Sequence, residues 1–310
     1  MNKSGKREVG SGKWVKQMIL YCCVLTTPYF LLATHCLFAT GFPSLQIIGD
    51  ARSRSMAESL VAVDGALYFN PANTAFLENK EISFTHTFWF EDIKLDNITY
   101  VYPTLEQGVF GVGLTYLYTV VEERNTDTET PVGEFKFNDG FLVFSYAKRV
   151  IKNFSIGSNL KIIRETIDNV RGRGFAIDLG SLYHFTTLPL SFGFAVQNIG
   201  PKIKFIEAEE KLPLSINFGT SWEIKKKITL NIEIDSIENK NIFKSGCEFW
   251  IKSVLALRVG YNTKNVSDLG GLAGFSFGNG LKLKNYQFDF AFSPYGILGN
   301  TYMVTGNYKF

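Results

Sequence analysis

Cysteine, proline, methionine and histidine are all scarce in this 310-residue chain: four Cys, nine Pro, four Met and three His. Cys22, Cys23 and Cys36 lie in the N-terminal segment and leave Cys247 alone downstream, which excludes a disulfide framework for the body of the protein. Zinc-ligand spacings and the C-x-x-C redox pair are absent, and only His86 and His184 remain beyond residue 40, too few for a histidine-based metal site. The sequence contains no H-E-x-x-H, G-x-S-x-G or P-loop, so it offers no nucleophile constellation and no cofactor cradle. RGRGFAIDLG (171–180) opens like a glycine fingerprint but lacks the third glycine and leads into an alternating strand, so it reads as a turn. We expect neither an enzyme nor a cofactor.

An excess of positive charge is missing too. The net charge of +3 over the whole chain comes from Lys3, Lys6, Arg7, Lys13 and Lys16, and beyond residue 40 there are 27 basic against 28 acidic residues. No basic patch interleaved with aromatics is visible, which argues against a nucleic-acid partner.

Those five basic residues precede a stretch free of Asp, Glu, Lys and Arg from Gln17 to Gly49, whose apolar heart is MILYCCVLTTPYFLLATHCLFA. With small residues at Ala39-Thr40-Gly41, residues 1–40 read as a secretory leader cut near Gly41. Its apolar part exceeds the usual length, so an uncleaved anchor is the competing reading.

Aromatics are abundant, with 28 Phe and 14 Tyr, and from about residue 81 they recur with a period of two. Ile82, Phe84, His86, Phe88 and Phe90 share a face opposite Ser83, Thr85 and Thr87, and Phe288, Phe290 and Phe292 oppose Gln287, Asp289 and Ala291. A soluble sandwich and a membrane barrel both produce such alternation, with the apolar face buried in one and against lipid in the other. Connection lengths discriminate. About 14 strands fit residues 81–310, with long polar connections at 121–138, 165–172 and 199–212 and tight turns at 150–152, 187–188, 225–226 and 253. That rhythm predicts an all-β fold: a 14-stranded antiparallel transmembrane barrel of the bacterial outer membrane. A soluble secreted β-protein is the weaker reading.

Three groups of residues stand out against this frame. Lys161, Asp178, Arg258 and Asp289 fall on the small, polar face and are candidates for an ion-pair network inside the lumen. Trp89-Phe90, Tyr100-Tyr102 and Tyr116-Tyr118 lie near strand ends, where aromatic girdles belong. The last strand, NTYMVTGNYKF, ends on Tyr308 and Phe310, which resembles the signal read by the barrel-assembly machinery.

Residues 41–80 do not alternate. Met56, Ala57, Leu60 and Val61 share a helical face after Ser53-Arg54-Ser55 and predict one small helix, stopped by Asp64-Gly65. Asn70 as N-cap with Pro71 and Ala72 in the first turn predicts a second, ending near Leu77. Too short for a domain, the segment reads as a hatch in the lumen.

DARSRSMAESLVAVDGALYFNPANTAFL resembles the hatch motif of the PorV/PorQ family within the FadL-type outer-membrane barrels, with Phe69 where that family commonly has Trp. ISFTHTFWFEDIKLDNITYVYP, QNIGPKIKF, LALRVGYN, SDLGGLAGFSF and SPYGILGNTYMVTGNYKF are similar to it as well. The resemblance implies a 14-stranded barrel with a hatch. It also implies one of two roles. FadL-type barrels pass hydrophobic small molecules through the outer membrane, whereas PorV-like members serve type nine secretion as a shuttle for exported cargo. Expected partners are therefore outer-membrane lipid, the barrel-assembly machinery and either a hydrophobic ligand or secretion components.

Overall fold

The computed structural model describes residues 42–47, 49–123, 130–205, 208–238 and 240–310; the leader reading of residues 1–40 lies outside them. The chain builds β1 (Glu81–Phe88), β2 (Lys94–Pro103), β3 (Val109–Glu123), β4 (Gly133–Ile151), β5 (Phe154–Ile167), β6 (Val170–His184) and β7 (Leu190–Ile199). A separate small hairpin, β8 (Ile203–Phe205) and β9 (Ala208–Glu210), interrupts the connection to β10 (Ser215–Ile224). Then follow β11 (Ile228–Ile237), β12 (Lys240–Ile251), β13 (Leu255–Asn262), β14 (Phe275–Leu283), β15 (Tyr286–Pro294) and β16 (Asn300–Lys309). All but β8 and β9 form one closed antiparallel barrel of 14 strands. β16 seals it against β1 in unbroken register from Glu81↔Lys309 to Phe88↔Tyr302, so every strand of the barrel has a neighbour on both sides.

The direction of the two faces separates barrel from sandwich. Phe84, Leu114, Phe144, Ile162, Phe218 and Phe288 point outward and are exposed, while Thr85, Thr115, Asn159, Lys161, Asn231 and Asp289 point inward and are buried. An apolar belt of this extent is stable only against lipid. The barrel end that carries Glu81 and Phe310 has only connections of two to five residues, whereas the long connections 124–132, 200–214 and 263–274 all lie at the other end, which makes the first the periplasmic side by the usual rule.

Two connections are shorter than the sequence suggests. β5 and β6 are joined directly through Asp168-Asn169, with Asp168 at φ 52, instead of by a polar loop over 165–172. RGRG accordingly lies within β6 and is not a turn. β3 and β4 also continue into the 121–138 stretch, leaving 124–132 between them. β4 has 19 residues, nearly twice the about 10 that cross a membrane. Beyond the lipid band both faces of a strand can be polar, so polarity no longer marks the strand's end.

Residues 42–80 fill the lumen. α1 (Ala51–Ser55) is capped by Asp50, which accepts from Ser53 N at 2.7 Å, and it stops sooner than the apolar pattern suggests. Ala57 and Glu58 adopt left-handed backbone, φ 54 and 61, and Ala57 N donates to Ser276 Oγ at 3.1 Å. A continuing helix needs a cylinder about 10 Å wide, and the packed lumen admits only the flattened chain. Phe42, Leu45, Met56, Leu60 and Phe69 pack on an apolar sector of the wall formed by Val109, Phe141, Val143 and Ile163.

Candidate functional site: the hatch and the cavity above it

The Asn-Pro step fastens the hatch. Asn70 is fully buried and N-caps a 3-10 turn over Pro71–Phe76, its Oδ1 accepting from Ala72 N at 3.0 Å. Its Nδ2 donates to Val61 O at 2.8 Å and to Ser181 O on β6 at 2.9 Å. One side chain thus ties two hatch pieces to the barrel. Ser155 Oγ holds the carbonyl of Ala72 at 2.9 Å from the next strand. Gly157 and Gly180 make room: a Cβ on Gly157 would lie 2.6 Å from Pro71 C and Ala72 N.

The four lumen charges form two separate pairs. Lys161 and Asp178 meet at 2.9 Å, fully buried, with Lys161 Nζ also donating to Asn198 Oδ1 at 2.8 Å. Arg258 and Asp289 meet at 2.7 Å. No ion pair among the described residues links the two pairs. Instead, Arg258 Nε donates to Glu248 Oε2 at 2.6 Å, and Glu248 also accepts from Arg52 of the hatch at 2.8 and 3.0 Å. A further cluster joins Lys244 to Asp235 at 3.0 Å and to Glu233 at 3.4 Å, and Glu233 accepts from Val61 N of the hatch at 2.9 Å. Glu248, Arg52, Glu233, Asp235 and Lys244 were not singled out in the sequence. Strand parity signals the wall residues among them, since Glu233 and Asp235 alternate with Ile232 and Ile234, and Lys244 and Glu248 alternate with Phe243 and Phe249.

Above α1, at the extracellular end, a cavity of about 480 Å³ opens between the hatch and the β1–β2, β13–β14 and β15–β16 connections. Trp89, Phe90, Leu269, Phe275 and Leu298 supply its apolar lining, and Arg54, Glu58, Lys264 and Asp268 its charge. Trp89 and Phe90 therefore cap the lumen, with ring centroids 5.1 and 5.4 Å from Tyr295, and are not part of a lipid girdle. They sit in the turn after β1, where the chain leaves the wall and bends inward. Tyr100, Tyr102, Tyr116 and Tyr118 do lie on outward-facing positions of β2 and β3. Arg54 donates to Glu58 Oε1 and to the hydroxyl of Tyr295, and its guanidinium lies 4.8 Å from the Trp89 centroid. Burial pulls the Lys264 ammonium below the ordinary lysine range despite the nearby Glu58 carboxylate. A smaller cavity of about 130 Å³ lies on the periplasmic side of α1, against Asp50, Arg52, Ser53, Glu81 and Lys309.

Tyr308 and Phe310 sit on the outward face of the closing strand with ring centroids 4.9 Å apart, and Phe310 N donates to Lys80 O at 2.9 Å.

A closed 14-stranded antiparallel barrel with its own N-terminal segment in the lumen defines the class as a transmembrane β-barrel. The family described as Type IX secretion system protein PorV matches residues 33–239, and the chain belongs to that family. Among curated proteins no sequence matches the chain. Similar solved structures include the toluene transporter TbuX of Ralstonia pickettii, at 12% identity and TM-score 0.63 over 84% of this chain and 98% of that one. The monoaromatic hydrocarbon channel CymD aligns at 12% identity and TM-score 0.64 over 88% and 99%. A FadL homologue of Pseudomonas aeruginosa aligns at 12% identity and TM-score 0.59 over 84% and 98%. At such identity these likenesses establish the fold.

Proposed function

We propose that the protein is a non-catalytic carrier that takes a hydrophobic small molecule into the cavity above α1 and releases it towards the periplasm when that turn shifts. The observation that carries this reading is the 480 Å³ aromatic-lined cavity, a size typical of small-molecule sites, with α1 residues lining both it and the smaller cavity below. The hydrocarbon transport named for TbuX and CymD, which share the fold, supports it. The test is equilibrium binding of an apolar fluorescent probe, read through quenching of Trp89 in the purified barrel. Trp89→Phe should remove the quenching while leaving binding, and Phe275→Ala with Leu269→Ala should weaken binding. A wild-type barrel that binds no apolar probe and retains no lipid-like molecule after purification would sink the idea.

Membership of the PorV family favours a second reading, a component of a type nine secretion system that handles exported cargo. Leu272 and Ile297 on the extracellular connections are 74% and 93% exposed, apolar contacts that a protein partner would cover. Crosslinking from Leu272 and Ile297 in cells should then recover secretion components or cargo, and recovery of neither would count against this role. In either case Tyr308 and Phe310 are the residues we assign to the barrel-assembly machinery, and Phe310→Ala should lower the yield of folded barrel in the outer membrane.

A further inference from the structure

Phe42 lies fully buried at the extracellular end of the lumen segment, and its backbone nitrogen donates to Glu165 Oε2 at 2.9 Å. Two residues on, Ser44 N donates to Asp139 Oδ2 at 2.7 Å. Asp139 and Glu165 face each other directly across β4 and β5, both buried. Neither is ion-paired to a side-chain cation among the described residues. Like charges opposed on a ladder repel, and buried carboxylates without a cation bear their desolvation cost uncompensated. Asp139 Oδ1, buried, has no hydrogen-bond partner. Two buried carboxyl groups thus lie beside the backbone nitrogens of Phe42 and Ser44 with no side-chain cation paired to them among the described residues.

The sequence offers a source for such a cation. Ala39 and Gly41 place small residues third and first before Phe42, the spacing at which a leader is cut. Phe42 has φ 64 and ψ 57, left-handed backbone that a bulky residue seldom adopts and that a following proline, here Pro43, disfavours further. Part of that penalty comes from the carbonyl of the preceding residue, which a chain beginning at Phe42 does not have.

We propose that the leader is cut between Gly41 and Phe42, and that the new α-ammonium of Phe42 is the cation held by Glu165 and Asp139. A leader endoprotease breaks the amide by adding water: the hydroxyl goes to the carbonyl carbon of Gly41 and a proton to the departing nitrogen. The free amine takes a second proton from solvent. An ammonium has three donors where the amide had one, enough for Glu165 and the open oxygen of Asp139 together. Processing thus completes the seat of the hatch at its extracellular end.

The full chain, leader included, is expressed and the barrel purified from outer membranes. Intact mass and terminal sequencing should give Phe42 as the first residue; a retained leader or any other first residue overturns the proposal. The folded barrel is then treated with an amine-acylating reagent at about pH 7. An ion-paired terminus whose pKa is raised by one unit reacts about tenfold more slowly. Acylation of the Phe42 terminus should therefore be about tenfold faster in Asp139→Asn/Glu165→Gln than in the wild type, and equal rates overturn the pairing. If that variant does not assemble, heat-unfolded wild-type barrel is the comparison, and equal reactivity folded and unfolded again overturns it.

Discussion

The side-chain oxygen of Asn70 occupies the space that any side chain at Gly180 would need. A methyl group built on Gly180 would overlap Asn70 Oδ1, while Asn70 Nδ2 donates to the carbonyl of the next residue, Ser181, at 2.9 Å. The hatch motif and the bare patch of β6 are thus two halves of one fit, and each predicts the consequence of altering the other.

Gly180→Ala should loosen the hatch by forcing Asn70 away from the wall. Asn70→Ala should cost about 2–4 kcal/mol, because the buried carbonyls of Val61 and Ser181 both lose a donor. In the double variant the two losses should not add, since the oxygen that the new methyl would overlap is gone and Pro71 Cδ, at 3.0 Å, is the close atom that remains. Reversible unfolding in detergent and urea measures all three, and additive losses would contradict the fit.

Removing Glu248 should be worse than removing Arg52. Arg52 of the hatch and Arg258 of β13 both donate to this one carboxylate, whose side chain is 1% exposed. Glu248→Ala leaves Arg52 without its partner and Arg258 with Asp289 alone, and should cost about 2–4 kcal/mol. Arg52→Ala should cost less, because Arg258 still neutralises Glu248 and the Arg52 side chain is 28% exposed. The midpoint of the heat-induced shift in gel mobility should fall in that order.

These contacts also explain how much of the protein its sequence discloses. Alternation of Phe288, Phe290 and Phe292 with Gln287, Asp289 and Ala291 identifies a two-faced strand because a period of two is local. Asn70 and Pro71 identify a helical start for the same reason. The partners of Arg258 are not local. It faces Glu248 on the neighbouring strand, and it reaches Asp289, two strands away, across β14, where Gly278 and Gly280 leave no side chain in the way. Only the register, fixed when each hairpin closes, brings those groups together. The short α1 was hidden too, since the limit on its length is the width of the lumen and not the propensity of Met56, Ala57 or Leu60.

Lys264 provides a pH test of the extracellular cavity. Burial is the largest influence on it and lowers its pKa; Lys244 and Arg54 lower it further, against Glu58 and Asp235. The folded value is thus below the unfolded one, the unfolded chain holds the proton more tightly, and raising the pH through that window favours the fold. Lys264→Met should stabilise the barrel near neutral pH, and its advantage over the wild type should shrink as pH approaches the ordinary lysine value of 10.5. Thermal midpoints of the two proteins across that range give the difference directly. An advantage independent of pH would mean that the ammonium is not penalised by burial.

Whether passage requires the hatch to move can be decided with a covalent lock. Ser59 Oγ lies 2.6 Å from the position of a Cβ on Gly246, so the hatch approaches β12 at bonding range for two cysteine sulfurs. Ser59→Cys with Gly246→Cys, in a Cys247→Ser background, should form a disulfide once the hatch backbone at Met56, whose carbonyl oxygen lies 2.7 Å from that Cβ, gives way. If a hydrophobic compound crosses by displacement of the turn after α1, oxidised cells should stop taking it up and a reductant should restore the rate. Uptake indifferent to the lock would require a route that leaves this turn in place, and the two cavities on either side of α1 would then not belong to one path.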